Sequence, residues 1–497
     1  MQSVGQAVLL SWSIPPAATF ALAVTALVYL RGWILLRRAG LPYLPAWRAA
    51  SFLLGLLSLW IALASPFDTF SGFLLTAHML QHMMLMMVAP PLLLLGAPLV
   101  PLVRGLPVFA AREFAGPFLN WRIANHVGGF LTHPIVALGL MAVTMFSWHM
   151  PRLYELALAS SSWHEVEHAC FFVTSLIFWW PVIQPWPSRA RWPRWAIIPY
   201  LLIGDLQNTI LSATLIFADR VLYPSYATVP RLFGFSAQQD QAAAGAIMWV
   251  LGSMAFMIPA VVIAMQCLQS RRSQPKATRG RGSSSLDALL GATKPFEAAN
   301  RSLRRRWSGA TIEAFSFLIL FAVAGLTLAH LASAPDDADD QVLRLHQQSG
   351  AFEIAVFGSP GDLESGPATF SILVQDSKDG AVLRDATVNV SAERQGDAEP
   401  SPPAQASNED SENKLLQGAE VELASVGDWT LHIKVQQGSN RGDFSLPLRV
   451  VNPEAGIVWP WAYLVLLAFS LILLSAYLWR HRSAKQVRAE QPVETVQ

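Results

Sequence analysis

Cysteine is almost missing from this 497-residue chain: Cys170 and Cys267 are the two, both inside apolar segments, with no CxxC or CxxxC pair. That excludes a disulfide framework and argues against dithiol redox chemistry and thiolate-based metal transfer. Charge is scarce too. Asp, Glu, Lys and Arg make up 14% of the residues, against about 25% in soluble domains. The first residues, Met1 to Gln6, hold no basic n-region and no evident cleavage site, so they read as mature sequence. No internal repeat is evident. The net charge of +1 says nothing by itself about partners, and no nucleic-acid partner is expected.

What is abundant is apolar sequence, 53% of the chain. It gathers in runs of about twenty residues, the length a helix needs to cross a bilayer. The candidate spans are 16–36, 49–65, 74–96, 132–149, 165–183, 196–217, 243–268, 311–333 and 457–479. Arginines follow the odd-numbered spans: Arg31, Arg37, Arg38 and Arg48; Arg104, Arg112 and Arg122; Arg189, Arg191 and Arg194; Arg271 to Arg306; and Arg480 with Arg482. Basic loops stay on the cytoplasmic side. The pattern therefore predicts a multi-pass membrane protein with an outer N-terminus and a cytoplasmic C-terminus.

The expected fold is an all-α polytopic bundle with a small antiparallel β-sandwich. Residues 1–268 form a seven-span core and 269–310 a basic cytoplasmic linker. Residues 311–333 and 457–480 are two further transmembrane helices, and 481–497 a cytoplasmic tail. Between those helices, 334–456 is polar and acidic with period-two patterning at 351–357, 369–374, 387–391, 420–423, 429–435 and 444–451, which reads as a periplasmic β-sandwich. Its acidic, Pro/Ser-rich stretch at 394–416 reads as a mobile loop. This domain has no Met or Cys, so it reads as a docking or scaffolding module.

The polar residues of the core carry the chemistry. His78 and His82 stand four apart, as do His164 and His168, and that spacing puts both imidazoles of a pair on one helix face. The topology brings all four, with His149, to the outer ends of three consecutive spans. Neutral imidazole suits Cu, Zn or Fe. A lone interfacial histidine is ordinarily a polar anchor; two pairs and a fifth at one depth point to metal or haem ligation. Glu165 and Glu167 are candidate acceptors that fix imidazole tautomers. Met83, Met86 and Met87 continue down the third span. Thioethers favour Cu(I), although methionine more often fills packing gaps. Asp205, in the middle of the sixth span, reads either as part of an ion path or as an interhelical hydrogen-bonding group.

Four pieces carry a resemblance: His78-x-x-x-His82 with Ala89-Pro90-Pro91; Trp148-His149-x-Pro151-x-x-Tyr154; His164-x-x-Glu167-His168; and Asp240-Gln241-x-x-x-Gly245-x-x-Met248-Trp249. Residues 12–268 resemble the multi-span CtaG-type cytochrome c oxidase assembly factors, not the single-span copper chaperone of the same name, which uses a cysteine pair. The segment 311–480 more loosely resembles β-domains attached to bacterial copper-handling membrane proteins. The resemblance implies a non-enzymatic factor that matures a haem–copper oxidase through its copper. The implied metal ligands are His78, His82, His149, His164 and His168, with Asp240 as a nearby polar partner; Glu167, Met86 and Asp205 are accessory candidates on the residue reading above. The implied partners are oxidase subunits, the lipid bilayer and a periplasmic copper donor. Three alternatives stay open: a haem-binding redox protein, a metal transporter that uses Asp205, and a pure scaffold in which the histidines are incidental.

Overall fold

The computed structural model describes residues 4–39, 44–111, 122–272 except 187 and 189, and 342–451 except 360–362, 364 and 396–400. The expected spans at 311–333 and 457–479, most of the linker and the C-terminal tail lie outside the described residues. Among the described residues, six helices are long and apolar enough to cross a membrane: Pro16–Arg38, Ala46–Thr69, Leu75–Leu95, Ser161–Ile183, Arg194–Phe217 and Ala237–Gln269. A seventh crossing exists only if a bent pair is counted as one, Pro134–Trp148 followed by Pro151–Ala159 at 72°. The expected fourth span is thus a 15-residue helix. At about 1.5 Å per residue it falls short of a hydrocarbon core about 30 Å thick. Proline sets these boundaries, because Pro16, Pro134 and Pro151 each open a helix where a missing N–H costs nothing.

Close backbone approach ties the first span to the short helix Leu99–Gly105. A Cβ on Gly32 would stand 1.7 Å from the Pro101 carbonyl oxygen, and one on Gly105 1.8 Å from that of Val28. Only glycine permits this contact.

The helix Leu75–Leu95 changes winding midway. Met84–Val88 forms a π-helical turn just before Pro90 and Pro91. Pro90 has no N–H to give the Met86 carbonyl, and the Trp179 indole N–H donates to that oxygen instead, at 3.0 Å. The irregular turn lies directly after His82, and π-turns of this kind concentrate near functional sites.

The C-terminal unit consists of two four-stranded antiparallel sheets. One has the order β1 (Val342–Ser349), β2 (Phe352–Ser359), β3 (Gly366–Asp376) and β6 (Gln417–Leu423). The other is β5 (Ala404–Gln405), β4 (Thr387–Arg394), β7 (Gly427–Gln437) and β8 (Asn440–Val450). Phe352, Ile354, Val356, Phe370 and Ile372 face Val388, Leu431, Ile433 and Phe444 across a single core. The first strand, Val-Leu-Arg-Leu-His-Gln-Gln-Ser, has no sustained alternation and escapes a pattern reading.

The opposite face of the first sheet is covered as well. Ala355, Phe357 and Leu373 pack with Phe70, Phe73, Ala77 and Leu232 of the helical unit, with the Phe73 and Phe357 rings 5.2 Å apart, edge to face. Burial on both faces explains why the middle of β2 and β3 is apolar throughout rather than alternating. The expectation of a mobile loop at 394–416 does not hold for its second half. Leu415 and Leu416 are buried in this interface, and the Lys414 amide donates to Ser11 Oγ at 2.9 Å. Apolar side chains at the end of an otherwise polar stretch hold it down.

Candidate metal centre

At the end of the bundle that meets the β-sandwich, the N-terminal turns of two helices face each other. The third span contributes His78 and His82, one turn apart, and the fifth contributes His164, Glu167 and His168. Positions three and four apart share a helix face, so Glu167 and His168 accompany His164 into the interior. One ligand atom from each of His78, His82, His164 and Glu167 lies within 4.8 Å of the others. His78 Nε2 is 3.6 Å and His82 Nε2 3.9 Å from Glu167 Oε2, too far for hydrogen bonds. Donors around a tetrahedral ion with bonds of about 2.0–2.1 Å stand about 3.3 Å apart, so the group matches an ion better than it matches itself.

The imidazoles form a continuous cluster. Ring centroids are 4.2 Å apart for His78 and His82, 5.1 Å for His78 and His164, 4.1 Å for His164 and His168, and 5.3 Å for His82 and His168. His149 ends the helix Pro134–Trp148 and lies 6.0 Å from the Phe171 ring, against which His82 also packs at 4.7 Å. Of the expected five ligands, His78, His82 and His164 share the four-donor group. His168 adjoins it by ring contact, and His149 borders it across Phe171.

Two tautomers follow from hydrogen bonding. The Tyr226 hydroxyl donates to the Ser71 carbonyl at 2.7 Å. Its proton is therefore spent, and His78 Nδ1, 3.3 Å away, must be the donor to Tyr226 Oη. His149 Nδ1 lies 2.8 Å from the Met145 carbonyl, which can only accept. Both rings consequently turn a bare Nε2 lone pair inward. Burial pushes the Tyr226 and Tyr223 phenols above their ordinary range, so they remain protonated donors at neutral pH. The Tyr223 hydroxyl donates to the His149 carbonyl at 3.1 Å, and Tyr154 stacks on Tyr223 with centroids 3.9 Å apart.

The decisive feature is what these inward atoms lack. Nε2 of His78, His82, His149, His164 and His168, Nδ1 of His82, and Oε2 of Glu167 are all buried without a hydrogen-bond partner. Leaving one such group unsatisfied costs about 1–3 kcal/mol, and seven belong to this set of neighbouring side chains. A cation bound by neutral imidazoles and a carboxylate relieves that cost.

Asp240 and Gln241 hold the frame. Asp240 accepts from the Leu75 amide at 2.7 Å and the Thr76 amide at 3.1 Å, and so caps the helix that carries His78. Gln241 accepts from the Leu222 amide at 2.7 Å and donates to the Leu215 and Arg220 carbonyls, which fixes the loop bearing Tyr223 and Tyr226. Glu167 belongs to the donor group rather than to the set that orients the rings; that task falls to Tyr226 and the Met145 carbonyl. Met86 is buried one turn below His82, in the π-helical turn. Asp205 accepts from Ser253 Oγ at 2.6 Å, between the sixth and seventh spans and outside the histidine group. Sequence reasoning missed Tyr226: nothing in its spacing marks it, and only the fold brings that loop over His78.

Residues 27–270 match the family model described as cytochrome c oxidase caa3 assembly factor. Uncharacterized proteins of Mycobacterium bovis and Mycobacterium tuberculosis are each 28% identical over 308 residues, covering 60% of this chain and 45% of theirs. An uncharacterized Mycobacterium leprae protein is 26% identical over 259 residues, covering 52% of this chain and 39% of its own. The chain thus spans less than half the length of these relatives. No solved structure matches it.

Proposed function

Because residues 27–270 belong to the cytochrome c oxidase caa3 assembly factor family, we propose that the chain binds copper in the histidine chamber and presents it to a subunit of a haem–copper oxidase. Copper is the cargo here, and no covalent bond of a substrate is made or broken, so the role is that of an assembly factor and not an enzyme. The observation that carries the reading is the set of inward, unpartnered imidazole nitrogens grouped with Glu167 Oε2. Neighbouring rings 4.1–5.3 Å apart leave no room for a porphyrin between them, which favours a bare ion over haem. Imidazole with a nearby carboxylate accepts copper readily.

The proposed setting is a bacterial inner membrane with the histidine end outside. The basic residues Arg37, Arg38, Arg104, Arg191 and Arg194 sit at the other end of the helices, as the positive-inside rule requires. Copper would arrive from a periplasmic donor and leave by stepwise ligand exchange. His78 is the first ligand to consider, since Tyr226 holds its ring ready. The test is the copper content of the purified chain, paired with oxidase maturation in cells. Replacing His78 and His164 by Gln should abolish both. Copper binding and oxidase assembly at the unsubstituted level would refute the proposal.

A further inference from the structure

We infer that the β-sandwich positions a side chain of the histidine chamber: Gln375 of β3 acts through Arg231 on Tyr226, and Tyr226 sets the His78 ring. This rests on the copper reading above. Gln375 is buried. Its Nε2 donates to the Gly380 carbonyl at 2.8 Å, within the turn after β3, and to the Arg231 carbonyl at 3.0 Å, across 144 residues of sequence. The first bond serves the sandwich itself. The second leaves it and fixes the main chain of Arg231. The Arg231 guanidinium in turn donates to the Tyr226 carbonyl. The Tyr226 hydroxyl completes the relay, donating to the Ser71 carbonyl and accepting from His78 Nδ1.

The sandwich borders both segments that meet at that hydroxyl. Leu232, next to Arg231, is buried in one cluster with Phe357 and Leu373 of the sandwich. Phe70 and Phe73, on either side of Ser71, belong to the same cluster. The loop holds itself poorly beyond Ala227. The Val229 amide reaches the Ser225 carbonyl, and the Phe235 amide the Leu232 carbonyl, at 3.4 Å each, long for such bonds. Phe233 has φ +57° and Gly234 φ +71°. A bulky side chain in the left-handed region is strained and persists only where its surroundings fix it. From the bundle, Glu155 accepts the Ser225 amide at 3.2 Å. The remaining hold comes from the sandwich, at Arg231 and Leu232. The sandwich thus serves the metal site without giving it a ligand. Loss of its grip leaves the histidines in place but frees the His78 ring to turn.

The experiment uses the full chain in detergent. Cu(I) affinity is measured anaerobically, by competition with a chelator, for the unsubstituted chain, Gln375→Met, Tyr226→Phe and the double variant. Arg231→Met goes through the same cycle, so the test stands even where Gln375→Met does not fold. Groups that orient a ligand imidazole contribute about 10–100-fold, and these two act one step further out, so each should weaken binding about threefold to tenfold. In the Tyr226→Phe background neither should weaken it further, because residues that act through one another are not additive. An equal loss in both backgrounds, or no loss in the first, overturns the proposal and leaves the copper reading standing. In the metal-free chains, amide exchange should rise at 229–232 in Gln375→Met while the sandwich core stays protected; unchanged exchange there also overturns the proposal alone. Failure of the unsubstituted chain to bind copper overturns both.

Discussion

The carboxylate of Asp240 accepts the Leu75 amide at 2.7 Å, across 165 residues of sequence. It closes the N-terminus of the helix on which His78 stands three residues later. The seventh span therefore positions the first histidine of the cluster on the third. Asp240→Ala should lower stability by about 1–2 kcal/mol, the usual worth of a cap with its dipole contribution. The loss should appear in a thermal melt, accompanied by weaker copper binding because the first turn frays. A melt and an affinity both unchanged would show that the cap has no part in the site.

Tyr226→Phe tests the tautomer argument. The substitution removes the hydroxyl that accepts from His78 Nδ1 and donates to the Ser71 carbonyl. Groups that orient a ligand imidazole typically contribute 10–100-fold in metal affinity. A drop of about tenfold is expected, measured by competition with a chelator, and Tyr226→His should not restore it.

The β-sandwich is held to the helical unit through Phe357 against Phe73 and through Gln375, which donates to the Arg231 carbonyl at 3.0 Å. Phe357→Asp buries a charge in that apolar contact. Hydrogen exchange should rise together in 70–77 and in 413–416, which meet in that interface, while the sandwich core stays protected. Unchanged exchange in both segments would mean that the contact does not hold the two units together.

Much of this was legible in the sequence, for physical reasons. Apolar runs of bilayer length announce helices, and a four-residue spacing puts two imidazoles on one face whatever surrounds them. Strands β4, β7 and β8 alternate cleanly because one face is wet. Other features depend on contacts far apart in the chain. Asp240 stood out as part of a motif, but its role as a cap for Leu75 and Thr76 exists only once the seventh span reaches the third. The middle of β2 and β3 has no clean period because a second domain covers the outer face. Tyr226 lies in a loop without periodicity, and only the folded bundle sets it on His78. The fourth span looked full length because apolar residues continue to its end; the structure stops it at Trp148, just before Pro151, and turns the chain by 72°.

X-ray absorption at the copper edge of the loaded, purified chain tests the central claim most directly. The account predicts a first shell of nitrogen and oxygen near 2.0 Å, with the outer-shell scattering of imidazole rings, lost when His78 and His164 are replaced by Gln. A shell dominated by sulfur, or the same spectrum in that variant, would contradict it.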